Sequence, residues 1–288
     1  MLTKIDRVQL AVADADDAAR KWQILLGAEE IQRDKVACLS AKRVTLRAGA
    51  SDIEILEPDG VGTIESELKR RGRAHLFAAG ATSPDPARVA AQAQARGATR
   101  VEENGRQYLT IIVEDAPVRF VISHDTRREP VGDLDFLYEV TLLAADQAGV
   151  VRQIRDAFGL DDSHFTTITS EHFGYTGVLT LFREGALHRF EVITPLDKQK
   201  TMGRYHAREG ASFYMAFAES ARMAHIEREA KRADAGITVD RPEGRPTSRT
   251  ADQLWLHPQS LGGMMLGVSR PSMAWRWSGH PERVVPIA

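Results

Sequence analysis

Chemistry in this 288-residue chain falls to its carboxylates and imidazoles. Cys38 is the only cysteine, so an intrachain disulfide and a multi-cysteine zinc site are both excluded, and nothing near it marks an activated thiol. There is no Gly-x-Ser-x-Gly elbow and no His-Glu-x-x-His helix, and Gly262-Gly263 is too short for a phosphate loop. What stands out is a glutamate that occurs twice in one setting. Ile53-Glu54-Ile55-Leu56-Glu57-Pro58 is echoed by Phe190-Glu191-Val192-Ile193-Thr194-Pro195, each an apolar strand stopped by proline. Alternation alone would place such a Glu on the solvated face of a sheet. Its recurrence at one position in both halves makes Glu54 and Glu191 functional candidates, and a carboxylate fixed on a strand suits general acid–base work.

Composition narrows the classes. With 38 basic and 40 acidic residues, a formal net charge of −2 and 43% hydrophobic residues, the chain reads as a soluble globular protein of one large or two ordinary domains. Its charges are interspersed, and the short Lys69-Arg70-Arg71 cluster reads as a solvated helix end, so nucleic acid is not expected as a partner. No apolar run approaches the roughly 20 residues of a bilayer span, and Met1 to Arg7 lack the apolar core of a signal peptide. The expected location is the cytoplasm, with no membrane partner.

The elements that must position these glutamates come from an internal repeat. A strand at 7–14, an Asp, a helix from Asp16 to Leu26 and then Gly27 recur as a strand at 139–146, a helix from Val150 to Phe158 and then Gly159. Both glycines are expected to end their helices in the left-handed conformation. Residues 71–77 correspond to 209–215 and lead into further strands and the helices 86–95 and 223–233. The offset is about 135 residues. Each half divides again, because the helix at 86–95 is followed by strands at 106–113 and 118–123 around the turn Glu114-Asp115-Ala116-Pro117. The chain therefore reads as four βαβββ units beginning near residues 5, 74, 137 and 212, an α+β fold of two domains, 1–127 and 128–288.

Four βαβββ units in two pairs, with a strand-Asp-helix-Leu-Gly opening and an Ile-Glu-Ile-Leu-Glu-Pro strand, resemble the vicinal oxygen chelate superfamily. This group includes the glyoxalases, methylmalonyl-CoA epimerase, the extradiol dioxygenases and the bleomycin and fosfomycin resistance proteins. Asp6-Arg7-Val8, Ile53 to Pro58 and Trp255 to Leu266 are most similar to its epimerase and glyoxalase branch. The resemblance implies two open, cup-shaped sheets, with a divalent metal (iron, manganese, cobalt, zinc or nickel, not distinguished) on a cup floor. Its ligands would come from the first and last strands of each unit in a pair.

Carried onto this chain, those positions fall on Arg7, Glu54, His75 and Val121 or Ile122 in the first half, and on Glu139, Glu191, Tyr214 and Leu266 or Gly267 in the second. The metal-ligand candidates are thus Glu54, His75, Glu139 and Glu191, with His257 on a neighbouring strand. Glu191, Glu139 and Tyr214, or Phe213 in the adjacent register, are the catalytic candidates. Arg7 departs from the pattern, since a guanidinium has no lone pair for a metal, and both closing-strand carboxylates are missing. The two-His-one-carboxylate set of the extradiol enzymes is absent from the second half. Of His124, His164, His172, His188, His206, His225 and His280, most are expected to be structural or at the surface.

The resemblance implies a metal-dependent isomerase, epimerase or lyase acting on a small oxygenated, acyl or aromatic-derived substrate through an enolate-like intermediate. A dioxygenase of the same superfamily is one alternative. The other is a metal-free small-molecule binding protein of the resistance type, which the loss of a His at position 7 favours. The partner is a small-molecule substrate, and a homodimer is compatible with either.

Overall fold

The computed structural model describes residues 1–287. The four βαβββ units begin at residues 5, 75, 136 and 212, within a residue of where the repeat placed them. The first comprises β1 (Ile5–Ala11), α1 (Ala15–Leu26), β2 (Glu29–Val36), β3 (Ala41–Ala48) and β4 (Ser51–Pro58), followed by α2 (Thr63–Arg71). The second has β5 (His75–Thr82), α3 (Pro86–Ala95), β6 (Thr99–Glu103), β7 (Arg106–Val113) and β8 (Ala116–Ser123). Next come β9 (Phe136–Leu143), α4 (Gln147–Phe158), β10 (Thr166–Ser170), β11 (Tyr175–Leu181), β12 (Arg189–Pro195) and α5 (Thr201–Glu209). The last unit has β13 (Ser212–Glu219), α6 (Met223–Arg232), β14 (Ile237–Asp240), β15 (Gln253–Leu256) and β16 (Met265–Ser269).

Local chemistry explains why these segments open and close alike. Asp14, Asp85 and Asp146 each accept a hydrogen bond from the backbone N–H three residues on, capping α1, α3 and α4. Gly27 (φ 60°) and Gly159 (φ 62°) end α1 and α4 in the left-handed conformation, as the repeat predicts. In each unit the first strand pairs parallel with the last, as β1 does with β4 and β9 with β12, while the intervening strands run antiparallel. Two eight-stranded mixed sheets result, in the orders β2-β3-β4-β1-β5-β8-β7-β6 and β10-β11-β12-β9-β13-β16-β15-β14.

The chain packs as two compact units, each drawn from both halves of the sequence. One contains Met1–Ile5, Ala78–Thr126 and Glu139–Tyr214. Its core is an aromatic cluster in which Phe120 lies 4.9 Å from Phe158, 5.2 Å from Phe190 and 5.5 Å from Phe213, ring centre to ring centre. Edge-on rings at such distances add to the about 2–3 kcal/mol that burying each one supplies. The other unit contains Asp6–Phe77, Arg127–Tyr138 and the chain from Met215 onward. There the buried Trp22 of α1 donates its indole N–H to the Leu261 carbonyl at 3.2 Å, and Tyr138 stacks on Phe217. No described helix is long and apolar enough to cross a membrane.

Candidate functional site

The second-half carboxylates are assembled by the parallel pairing of β9 with β12, which sets Glu139 opposite Arg189 and Thr141 opposite Glu191. Residues paired in this way share one face of the sheet. The other face carries Phe190, which packs on Phe158 of α4, so Glu139, Thr141, Arg189 and Glu191 point away from the helix. All four are at most 4% exposed. Arg189 donates from Nε to Glu139 Oε2 at 2.5 Å and from Nη1 to the Leu187 carbonyl at 3.0 Å, and the Thr141 hydroxyl donates to Glu191 Oε2 at 2.6 Å.

The Glu139 and Glu191 carboxyls lie close enough to act on each other electrostatically. Burial, and then the neighbouring Glu139 charge, push the Glu191 carboxyl well above the ordinary carboxylate value, against the pull of Thr141 and Arg189. Two carboxyls thus share the charge that one guanidinium can balance. The Tyr175 phenol lies within electrostatic reach, pushed up by its burial and by the charges of Glu191 and Glu139.

Tyr214 shares the compact unit but has other company. Of the two registers considered for this position, Phe213 enters the aromatic core, and Tyr214 meets the ring of Tyr205 edge-on at 5.0 Å. Burial and Tyr205 push the Tyr214 phenol up to about 12, and neither glutamate contributes.

The first-half residues are assembled differently. The pairing of β1 with β4 sets Arg7 opposite Asp52 and Gln9 opposite Glu54, while β3 sets Thr45 opposite Glu54. Glu54, fully buried, accepts from Gln9 Nε2 at 2.8 Å and lies 3.6 Å from Arg7 Nη1 and 3.4 Å from Arg43 Nη1. Arg7 also grips Asp6 in a two-point bond (3.0 and 2.6 Å), and Arg43 grips Asp34. Asp52 pairs with Arg47 at 2.7 Å and Arg128 at 2.9 Å, and Arg128 reaches Asp6 at 2.6 Å. These four carboxylates and four guanidiniums balance in charge. Burial alone would raise the Asp6 carboxyl, but the charges of Arg7 and Arg128 prevail and hold it below the ordinary aspartate value.

His75 is buried, with Nδ1 3.0 Å from the Arg73 carbonyl, and burial followed by the Arg71 charge lowers it to about 4, so it is neutral at physiological pH. His257 meets the Thr238 hydroxyl through Nε2 at 2.9 Å. Of the residues singled out from the sequence, the structure brings Glu139 and Glu191 together. Glu54, His75, Tyr214 and His257 each meet the other partners just named.

A divalent metal, which the fold family implies, requires three or four converging donors with open positions. Among the described residues no group of three or more His, Cys, Asp or Glu side chains is arranged to hold one. Glu139 already faces the Arg189 guanidinium, Glu54 faces Arg7 and Arg43, and Glu191 accepts from the Thr141 hydroxyl. A dication about 5 Å from a guanidinium is opposed by about 7 kcal/mol at an effective dielectric of about 20. The donor set does not fit a metal centre.

Sequence reasoning missed Arg189, Thr141 and Tyr175. The signal for Arg189 was available: alternation on β12 places it, two residues before Glu191, on the same face, and sends His188 to the other, where it accepts the Ile5 N–H at 3.2 Å. Tyr175 had no such signal, because it reaches the pair from the neighbouring β11.

No protein-family model matches this chain, and no curated protein sequence matches it. Solved structures do. A triple mutant of 4-hydroxymandelate synthase from Streptomyces coelicolor superposes with a TM-score of 0.72 at 12% identity, over 94% of this chain and 93% of that one. A xylose isomerase-like TIM barrel/4-hydroxyphenylpyruvate dioxygenase fusion protein gives 0.64 at 12% identity, over 94% of this chain and 49% of its own. At that identity the likeness establishes the fold, which is that of the vicinal oxygen chelate proteins.

Proposed function

We propose that this vicinal-oxygen-chelate-fold chain is an enzyme that moves protons on a small oxygenated substrate, by isomerisation, epimerisation or lyase chemistry, in the cup built on β9 and β12. The observation that carries this is the buried Glu139–Glu191 pair of carboxyls on adjacent strands beside a fixed guanidinium. A neutral and an ionised carboxyl side by side are an acid and a base poised for one reaction. Glu139, held against Arg189, takes the proton from the carbon next to a substrate carbonyl. Glu191 gives its proton to the carbonyl oxygen, and an enol results without net change of charge. Return of a proton to either carbon, or to the other face, completes an isomerisation or epimerisation.

The test is solvent-deuterium incorporation into small ketones, hydroxyacetone and pyruvate, followed by proton NMR. The expected outcome is exchange that Glu139→Gln and Glu191→Gln each lower by about a hundredfold, the usual scale for losing a general acid or base. Unchanged exchange in both variants sinks the proposal.

The second reading, capture of a ligand without chemistry, is favoured by the surroundings of Glu54, which lies between the Arg7 and Arg43 guanidiniums. Binding without deuterium exchange would select it.

A further inference from the structure

We propose that Arg189 is the built-in cation of the Glu139–Glu191 pair, and that this cup works without a divalent metal on an uncharged oxygenated substrate. This rests on the reading of the cup as the active site. The register of β9 and β12 sets Arg189 directly opposite Glu139, so no side-chain rotation is needed to bring the charges together. The guanidinium is anchored at two points, Nε on Glu139 and Nη1 on the Leu187 carbonyl, and it is 0% exposed, so water does not screen it.

The same device appears in the other cup with the strands exchanged. There the positive member, Arg7, is on the first strand and the negative member, Asp52, on the last. In both halves a guanidinium holds the level at which first and last strand would jointly grip a cation. One fixed positive charge facing two carboxyls leaves room for a proton and not for two further charges. Arg189 is therefore a positioning residue: its guanidinium holds the Glu139 carboxyl in place next to Glu191. It also decides the substrate class. A carboxylate or phosphate substrate would bring a further negative charge to two carboxyls whose guanidinium Glu139 already holds, whereas a ketone or alcohol pairs with carboxyl groups without bringing charge.

The test titrates chelator-treated protein with Mn²⁺, followed by electron paramagnetic resonance, alongside elemental analysis of the protein as purified. Native protein is expected to carry far less than one metal per chain and to bind Mn²⁺ without saturation. Arg189→Met is expected to gain about tenfold or more in Mn²⁺ affinity, as removing one opposing charge predicts, and Arg189→Lys is not. Glu191→Gln in the Arg189→Met background should abolish the gain. Stoichiometric metal in native protein that Glu139→Gln or Glu191→Gln lowers overturns the proposal. So does an Arg189→Met variant that folds and gains nothing. If Arg189→Met does not fold, elemental analysis of native protein and the two Gln variants decides alone. For the substrate class, exchange with hydroxyacetone is expected to exceed that with pyruvate by about tenfold or more, and the reverse order overturns that part. The absence of any exchange would sink the proposed function and leave the metal titration decisive for Arg189.

Discussion

The two cups are built on one plan and differ in the sign of their charges. Gln9 opposite Glu54 in the first half corresponds to Thr141 opposite Glu191 in the second, and in both a neutral side chain donates to the glutamate, at 2.8 and 2.6 Å. One level along, Arg7 opposite Asp52 is answered by Glu139 opposite Arg189. That exchange has large consequences. Glu54 sits between two guanidiniums, whereas Glu191 faces a second carboxyl, and burial with that neighbour raises its proton affinity. Position within a duplicated unit fixes where a glutamate points, and its neighbours' charges fix what it can do.

The largest effect expected from breaking this comparison is at Glu54. Glu54→Gln leaves Arg7 and Arg43 short of a buried counter-charge and should cost about 3–5 kcal/mol of stability. The matching Glu191→Gln removes no counter-charge from an ion pair and should cost less than about 1 kcal/mol. Urea denaturation of both variants checks this, and equal losses would show that the cups are not electrostatically distinct.

A smaller effect is expected in the pH dependence. Glu191 binds its proton more tightly folded than unfolded, so its contribution is full below its unfolded value of 4.5 and is lost as pH rises toward the folded value. Asp6 is shifted the other way, so its contribution is present above 3.8 and is lost as pH falls through the lower folded value. Denaturation from pH 3 to 9 should therefore show Glu191→Gln removing a decline on the alkaline side, and Asp6→Asn lowering stability above pH 3.8 while removing a decline on the acid side. Intermediate losses are expected at the neutral donors. Thr141→Val and Gln9→Leu should each cost about 1–2 kcal/mol, the scale of one hydrogen bond to a carboxyl, by the same denaturation measurement.

Much of the fold is legible in the residues. The Asp caps, the helix-ending glycines and the proline-stopped strands recur at a fixed offset, and each is a local signal that survives without knowledge of its partners. The pairing of Glu139 with Glu191 follows from that repeat, because both lie on strands the fold sets side by side. Arg189 was within reach of the same alternation that turned His188 away. The Tyr175 phenol and the Arg43 guanidinium on Glu54 were not, since Tyr175 and Arg43 come from neighbouring strands whose register no local pattern states.

The sequence by itself determined four βαβββ units and a glutamate at the same place in each half, because periodicity and capping are properties of short stretches. Only the tertiary structure decided that one glutamate is locked between arginines while the other keeps a proton. Proton affinity depends on charges brought within a few ångströms from distant parts of the chain, and folding alone sets those distances.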